Sequence, residues 1–163
     1  MSIARAARNV EAECEWVLRS LPMWFGQEDA LLEYVRGTSQ LPTFVSTDGA
    51  AVNGFVSVQQ HFPRSFEIVC VAVHATARGR GIGRALIEQV SAWSGAQGGQ
   101  FLQVKTIAAS HPSPEYAQTR AFYESVGFVP LEVFPTLWTA RHPCLQLVKR
   151  LHDVAEPVPD RIA

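Results

Sequence analysis

The sequence predicts an α+β fold, because two helical patterns are followed by a run of strand patterns in the first half of the 163-residue chain. Apolar side chains recur at helical spacing over residues 10–21, behind the candidate N-cap Asn9. After Pro42 they recur at every second residue, which is typical of strands. Residues 66–73 are almost wholly apolar, as in a central strand covered on both faces.

The remaining elements alternate along the rest of the chain. A second helix is predicted over residues 26–37, with acidic residues in its first turn and Gly37 at its end. Asp48 and Gly49 form a turn signal between the two strands of a hairpin. The later segments are predicted, in order, as a helix over 84–93, a strand over 100–107, a helix over 116–127 and closing strands over 128–134 and 144–149.

Composition argues against several classes of protein. Fourteen basic and fifteen acidic side chains give a net charge of −1, without the positive excess typical of proteins that bind nucleic acid or anionic membranes. No window contains the roughly 20 apolar residues of a membrane span, so we expect a soluble, cytoplasmic protein. The three cysteines are far apart, and neither a disulfide framework nor a metal site is expected. Residues 154–163 are rich in proline and are expected to form a disordered tail.

The segment ARGRGIGRAL, residues 77–86, places three glycines and three arginines between a buried strand and a helix. The first N–H groups of a helix have no partner within it, and together with the helix dipole they form an anion site. Glycine allows the backbone to approach a ligand closely, and Arg78, Arg80 and Arg84 add charged donors. The loop is therefore predicted to hold a pyrophosphate, with a solvated basic turn as the alternative.

Two common phosphate-binding motifs do not fit this loop. A P-loop ends in Gly-Lys-Ser/Thr, and a dinucleotide fingerprint has Gly-x-Gly-x-x-Gly near the first strand of an alternating fold. Here the spacing from Gly79 is Gly-x-Gly-x-Gly, after a run of predicted antiparallel strands. The order Arg78-x-x-Gly81-x-Gly83 instead resembles the acetyl-CoA loop of the GCN5-related N-acetyltransferase (GNAT) family.

A second motif strengthens this resemblance. The segment TRAFYESVGFVPLEVF, residues 119–134, is similar to the family's later segment, in which Ala-x-Tyr-x-x-x-Gly-Phe ends a helix and begins a strand. The resemblance covers roughly residues 2–151. It implies the three-layer α/β acyl-CoA N-acyltransferase fold, in which helices flank a mixed central sheet and the parallel strands 66–73 and 100–107 splay apart. It also implies a single GNAT domain over residues 1–153, with acetyl-CoA as co-substrate.

The resemblance assigns cofactor-binding roles to two parts of the chain. The backbones of Val71 and Val73 would bond the pantetheine amides between the splayed strands. Family members typically use a backbone N–H there to stabilise the oxyanion formed during acyl transfer. The residues that would surround the pyrophosphate are Arg78, Gly79, Arg80, Gly81, Ile82, Gly83 and Arg84.

Transfer of acetyl from a thioester to an amine requires both a base and an acid. An amine with a pKa near about 10.4 must lose a proton before it attacks, and the departing thiolate benefits from gaining one. Tyr123 lies where the family usually places a tyrosine next to the departing sulfur, so the resemblance assigns it the role of general acid. The alternative is an aromatic side chain packed beside Phe122 on the inner face of a helix.

Glu67 is the candidate base. It is the one carboxylate in an apolar strand, where burial would make it a better proton acceptor, and its position resembles the catalytic glutamate of the histone-acetylating branch. Regular alternation predicts that Glu67 shares a face with Val71 and Val73, and that Cys70 points the other way as inert packing.

Three alternatives to Glu67 as the base stay open at this stage. Glu67 could be an edge carboxylate paired with Arg64 or Lys105. His111, in the loop before the tyrosine helix, is a candidate auxiliary base. Deprotonation relayed by water would need no single dominant base.

The acceptor pocket in this family is built largely from the first two helices, their connecting loop and the last strands. Four aromatic residues in these parts would wall an apolar or cation-accepting pocket: Trp24, Phe25, Phe134 and Trp138. Glu28 or Asp29 would attract an ammonium group, and the alternative for the aromatic residues is ordinary packing.

We therefore expect an enzyme that transfers acetyl from acetyl-CoA to a primary amine of a small molecule or protein, by direct attack in a ternary complex. The alternative is a non-catalytic acetyl-CoA sensor. The presence of both Tyr123 and Glu67 favours the enzyme. Exposed aromatic residues would permit a homodimer, and neither a nucleic acid nor a membrane is expected as partner.

Overall fold

A computed structural model describes residues 1–151 of the chain, so the predicted tail at 154–163 lies outside the described residues. One seven-stranded sheet runs in the order β1-β2-β3-β4-β5-β7-β6, and β4 and β5 are its parallel pair. None of the helices in the described part is long and apolar enough to cross a membrane. The strands and helices are β1 (Ser2–Arg5), α1 (Glu11–Arg19), α2 (Glu28–Gln40), β2 (Thr43–Asp48), β3 (Ala51–Phe62), β4 (Ser65–Val73), α3 (Ile82–Ala96), β5 (Phe101–Ile107), α4 (Pro114–Ser125), β6 (Val129–Thr139) and β7 (His142–Arg150).

The structure confirms the order of predicted elements, adds one strand and shifts several element bounds. The added strand is β1, a four-residue strand with no fully buried side chain, which is held by antiparallel pairing with β2. The second helix was predicted to end at Gly37, whereas α2 continues to Gln40, and the strand predicted over 128–134 continues to Thr139 in β6. Pro42 explains the end of α2, because the residue before a proline is disfavoured in helical geometry and Leu41 is extended.

The helix end gives a test of local structure through Gly37→Ala. Gly37 lies inside α2, and a Cβ there would meet only the Leu41 Cδ1 atom at 3.9 Å. Alanine is favoured over glycine in a helix interior, so the substitution should raise the free energy of unfolding by about 0.5–1 kcal/mol. A rise in Tm of about 1–4 °C by calorimetry is expected. The matched change Gly49→Ala, at a φ of 61° in the β2–β3 turn, should lower the Tm instead.

Helices cover both faces of the sheet, as the predicted three-layer arrangement requires. The helices α1 and α2 pack on one face and share a buried cluster with Phe55, Cys70 and Ala72. The opposite face carries α3 and α4, whose buried residues pack with Phe66 and Ile68. The central strands are thus withdrawn from water on both sides, which is why β4 reads as an apolar run.

The parallel strands β4 and β5 pair over only part of their length. Their register runs from Ser65 opposite Phe101 to Ile68 opposite Val104. Beyond that point β4 continues to Val73 without β5 beside it, while β5 stays paired with β7 as far as its end. The strands therefore diverge, and the predicted splayed pair is confirmed.

A β-bulge in β4 changes which residues share a face. Cys70 lies opposite Ser57 and Ile68 lies opposite Val58, so Val69 is the extra residue between two paired positions. Ile68 packs in the α3 and α4 cluster, whereas Cys70 packs in the α1 and α2 cluster. One inserted residue reverses the inward and outward alternation of the rest of the strand.

The bulge overturns the facial assignment that was made from strict alternation. Val71 and Val73 pack toward α3 and α4, so Glu67 lies on the opposite face, toward α1 and α2. Cys70 lies on the same side of the sheet as Glu67. The prediction that Glu67 shares a face with the two valines, and that Cys70 points away from it, is wrong.

Candidate active site

A cavity of about 920 Å³ occupies the gap where β4 and β5 separate. Cys70 and Ala72 line it from the α1 and α2 side of the sheet, and Val71 and Val73 line it from the α3 and α4 side. The cavity therefore reaches both faces. This arrangement allows one ligand to enter from each side and meet between the strands.

The glycine loop forms part of the wall of this cavity. Gly79 and Gly81 have φ angles of 75° and 78°, a region that only glycine adopts without strain. Gly81 caps α3, whose first intrahelical bond is donated by the Ala85 N–H, so the preceding amides remain free for an anion. Gly83 packs against α4, because a Cβ there would lie 3.2 Å from the Phe122 ring.

The three arginines of the glycine loop differ in where their side chains lie. Arg78 and Arg84 line the cavity, and Arg84 donates a hydrogen bond to the Ser125 carbonyl at 3.3 Å. Arg80 does not line it, and its guanidinium reaches the Asp48 carboxylate at 3.4 Å. The structure thus brings together Val71, Val73, Arg78, Gly79, Gly81, Ile82, Gly83 and Arg84, and it leaves the Arg80 side chain outside.

Tyr123 lies where α4 meets the cavity. The side chain is 6% exposed, and its ring packs against Phe122 and Phe128 at centroid distances of 5.5 and 5.6 Å. Burial raises the pKa of the Tyr123 hydroxyl well above its usual range, so the group stays protonated at neutral pH. Within residues 1–151 no hydrogen bond engages this hydroxyl, which leaves its proton available to a ligand in the cavity.

Trp24 joins the predicted acceptor region to the glycine loop. Its indole Nε1 donates a hydrogen bond to Thr119 at 3.0 Å, and its carbonyl accepts one from the Tyr116 hydroxyl at 3.3 Å. The Arg78 guanidinium lies over the indole ring, 4.6 Å from the centroid. The connection between α1 and α2 is thereby fixed to both α4 and the loop, and the two predicted sites adjoin.

The other acceptor candidates divide into two groups. Phe25 and Trp138 line the cavity with Trp24, whereas Phe134 lies outside it. Glu28 also lies outside, because its carboxylate binds the Arg19 guanidinium at 2.7 Å on the surface. Asp29 does not line the cavity either, so neither acidic residue is placed to attract an ammonium group there.

Glu67 is placed behind the cavity wall. Its carboxylate accepts a hydrogen bond from the Lys105 ammonium at 2.8 Å and contacts the His61 imidazole. Lys105 lines the cavity on the β5 side, whereas Glu67 does not. The predicted pairing with Lys105 is present, and the carboxylate is one side chain away from the cavity.

Comparison with known proteins identifies the family. Residues 40–130, more than half of the chain, match the acetyltransferase (GNAT) domain family. The chain belongs to the GNAT acetyltransferase family. A search of the curated proteins found no match.

Solved structures share the fold of this GNAT domain. A GNAT-family protein from Desulfovibrio desulfuricans is 19% identical, with a TM-score of 0.79 over 93% of this chain and 99% of that one. An aminoglycoside 6'-N-acetyltransferase complexed with coenzyme A is 19% identical, with a TM-score of 0.75 over 98% and 100%. The ribosomal-protein-S18-alanine N-acetyltransferase from Escherichia coli is 17% identical, with a TM-score of 0.73 over 96% and 97%. These likenesses establish the GNAT fold.

The environment of the cysteine that lines the GNAT cavity disfavours its thiolate. Burial raises the pKa of the Cys70 thiol well above its usual range. Cys14 and Cys144 are likewise free and buried, and burial raises the pKa of Cys14 to about 12.

Several residues of the cavity wall were not predicted from the sequence as parts of the site. Tyr34 and Tyr116 carry hydroxyls whose pKa values burial raises, that of Tyr34 to about 12. Arg141 and His142 reach the cavity from the β6–β7 turn, and His142 stacks on His111 at 5.5 Å. The sequence contains the basic residues Lys105, Arg141 and His142, but only the fold shows that they line the same cavity.

Proposed function

We propose that this protein transfers the acetyl group of acetyl-CoA to a primary amine of a small molecule or protein, by direct attack in a ternary complex. The observation that carries the proposal is the cavity between β4 and β5, whose wall contains both the glycine loop and the aromatic side chains Trp24, Phe25 and Trp138. A binding module would need the glycine loop only. The coenzyme A complex of a protein with the same fold supports the choice of cofactor.

The residues present fit acetyl-CoA. The free amides at the start of α3, together with Arg78 and Arg84, would hold the pyrophosphate. The edge of β4 that faces β5 has no strand paired with it at Val71 and Val73, and the backbone there would bond the pantetheine amides. Acetyl-CoA supplies a thioester when bound, and the N–H groups near the bulge at Val69 are suited to stabilise an oxyanion.

Two side chains would carry out the proton transfers of the reaction. Tyr123 keeps its hydroxyl proton and would donate it to the departing sulfur as general acid. Glu67 lies behind Lys105 and would accept the amine proton through water. The neutral Cys70 thiol argues for direct attack by the amine, without an acetylated cysteine.

Calorimetric titration with acetyl-CoA tests this proposal, with NAD and ATP as control ligands. Acetyl-CoA alone should bind with micromolar affinity. Arg78→Ala combined with Gly81→Ala should weaken binding by at least about tenfold, because a charged hydrogen bond is lost and the α3 cap is strained. The control Arg36→Ala, on the exposed face of α2, should bind like the wild type.

Thiol release in the presence of a broad panel of primary amines then separates the enzyme from a sensor. Release that depends on the amine supports catalysis. Tight acetyl-CoA binding without release for any amine would leave only the sensor. Absence of acetyl-CoA binding would overturn the assignment of the glycine loop itself.

A further inference from the structure

The charges around the cavity are all of one sign. Four cationic residues line it, two near the glycine loop (Arg78 and Arg84) and two on the β5 and β7 side (Lys105 and Arg141). Within residues 1–151, no aspartate or glutamate lines it. A polycationic acceptor would therefore find no carboxylate in the cavity wall to bind it, which is unfavourable.

The nearby carboxylates are engaged elsewhere. Glu67 binds Lys105 at 2.8 Å, and its side chain is 14% exposed behind the wall. This pair cancels the charge of Lys105, so the cationic group left on the acceptor side is Arg141. Within the described residues, Arg141 has no hydrogen bond, ion pair or ring contact.

The turn that carries Arg141 is held in place. The Thr139 hydroxyl accepts a hydrogen bond from the His142 N–H at 3.2 Å and contacts its ring Nδ1 at 3.0 Å. The His142 ring stacks on His111 at 5.5 Å. An exposed guanidinium at such a turn, beside a cavity, can bind a carboxylate with two parallel hydrogen bonds.

Aromatic rings surround the same part of the cavity. Phe25 and Tyr34 pack edge to face at 5.8 Å, and both line the cavity with Trp24 and Trp138. Burial keeps the Tyr34 hydroxyl neutral, so this wall adds no negative charge. The wall is suited to a flat or apolar body between the reacting amine and the charged end of an acceptor.

We infer that the acceptor is a primary amine that carries a carboxylate on an apolar or aromatic body, with Arg141 as the residue that binds the carboxylate. The inference rests on the proposed acetyltransferase function and defines its substrate class. Such an acceptor, with its amine and its carboxylate at opposite ends of the body, has the shape and charge of an aminomethyl benzoate. A polycationic amino sugar has neither.

Matched amine pairs test this inference. 4-(Aminomethyl)benzoate is compared with its amide, and 4-(2-aminoethyl)benzoate with its amide, by acetyl-CoA-dependent thiol release, with kanamycin as the polycation. At least one carboxylate should have a kcat/KM at least about tenfold above that of its amide, because a charge-assisted bond is lost in the amide. Kanamycin should be the poorest acceptor.

The variant Arg141→Gln should lower kcat/KM for the preferred carboxylate to the level of its amide, with the amide and the KM for acetyl-CoA unchanged. Arg36→Gln, which removes an arginine outside the cavity, should change none of these values. Equal use of acid and amide by the wild type, or preference for kanamycin, would overturn the inference and leave the acetyltransferase standing. Failure to bind acetyl-CoA in calorimetry would overturn both.

Discussion

Replacement of Tyr123 by phenylalanine should lower kcat for amine acetylation by about 10²- to 10⁴-fold, the usual contribution of a positioned general acid. The substitution removes one oxygen from a buried ring that packs between Phe122 and Phe128, so the fold and the cavity shape should persist. The affinity for acetyl-CoA should stay close to that of the wild type. Steady-state kinetics with the best amine of the panel, together with calorimetry, measure both quantities.

Tyr116→Phe is the matched control for this variant. Tyr116 also lines the cavity, but its hydroxyl donates to the Trp24 carbonyl at 3.3 Å and so fixes a loop. Its loss should change KM for the amine more than kcat. An unchanged kcat in Tyr123→Phe would contradict the acid role and leave Tyr123 as a packed aromatic residue.

The direction of the Tyr123 pKa shift also predicts a pH profile. Because burial raises the pKa of this hydroxyl, the general acid keeps its proton up to at least the ordinary tyrosine value of about 10. The fraction of unprotonated amine rises over the same interval. Activity should therefore increase from pH 7 to pH 9.5 without a falling limb, and a fall within that range would show that another group is the acid.

The sequence alone allowed prediction of those parts of the site that depend on residues close together in the chain. Positive φ angles at Gly79 and Gly81 and the start of α3 follow directly from the spacing of glycines before an apolar helix. The position of Tyr123 in the cavity wall was predicted from a motif that spans one helix and the start of the strand after it. These features need no knowledge of the neighbouring strands.

Parts of the site that depend on distant pairing were not predictable in this way. The face of Glu67 was wrong because alternation assumes a regular strand, and the bulge at Val69 is defined by its partners on β3. Arg141 reaches the cavity because β7, which begins at His142, pairs with β5 and so starts beside the cavity. Glu28 lies outside the cavity, where its carboxylate pairs with Arg19, nine residues earlier.

Replacement of Glu67 by glutamine should lower kcat/KM for the amine by about 10²-fold at pH 7, if this carboxylate accepts the proton through water. The loss should be largest at neutral pH, where the amine is mostly protonated, and should shrink toward pH 10 as free amine becomes abundant. Acetyl-CoA affinity should be unchanged, because Glu67 does not line the cavity. The pH dependence of kcat/KM, measured for both proteins, provides the test.

Lys105→Met distinguishes a role of Glu67 as the base from a role of Glu67 only as the ion-pair partner of Lys105. It removes the ammonium that donates to Glu67 at 2.8 Å and leaves the carboxylate beside His61. If Glu67 accepts the proton, Lys105→Met should lose far less activity than Glu67→Gln at pH 7. Equal losses that do not depend on pH would show that the pair only holds β4 and β5 at the point where they separate, and the base would then be water alone.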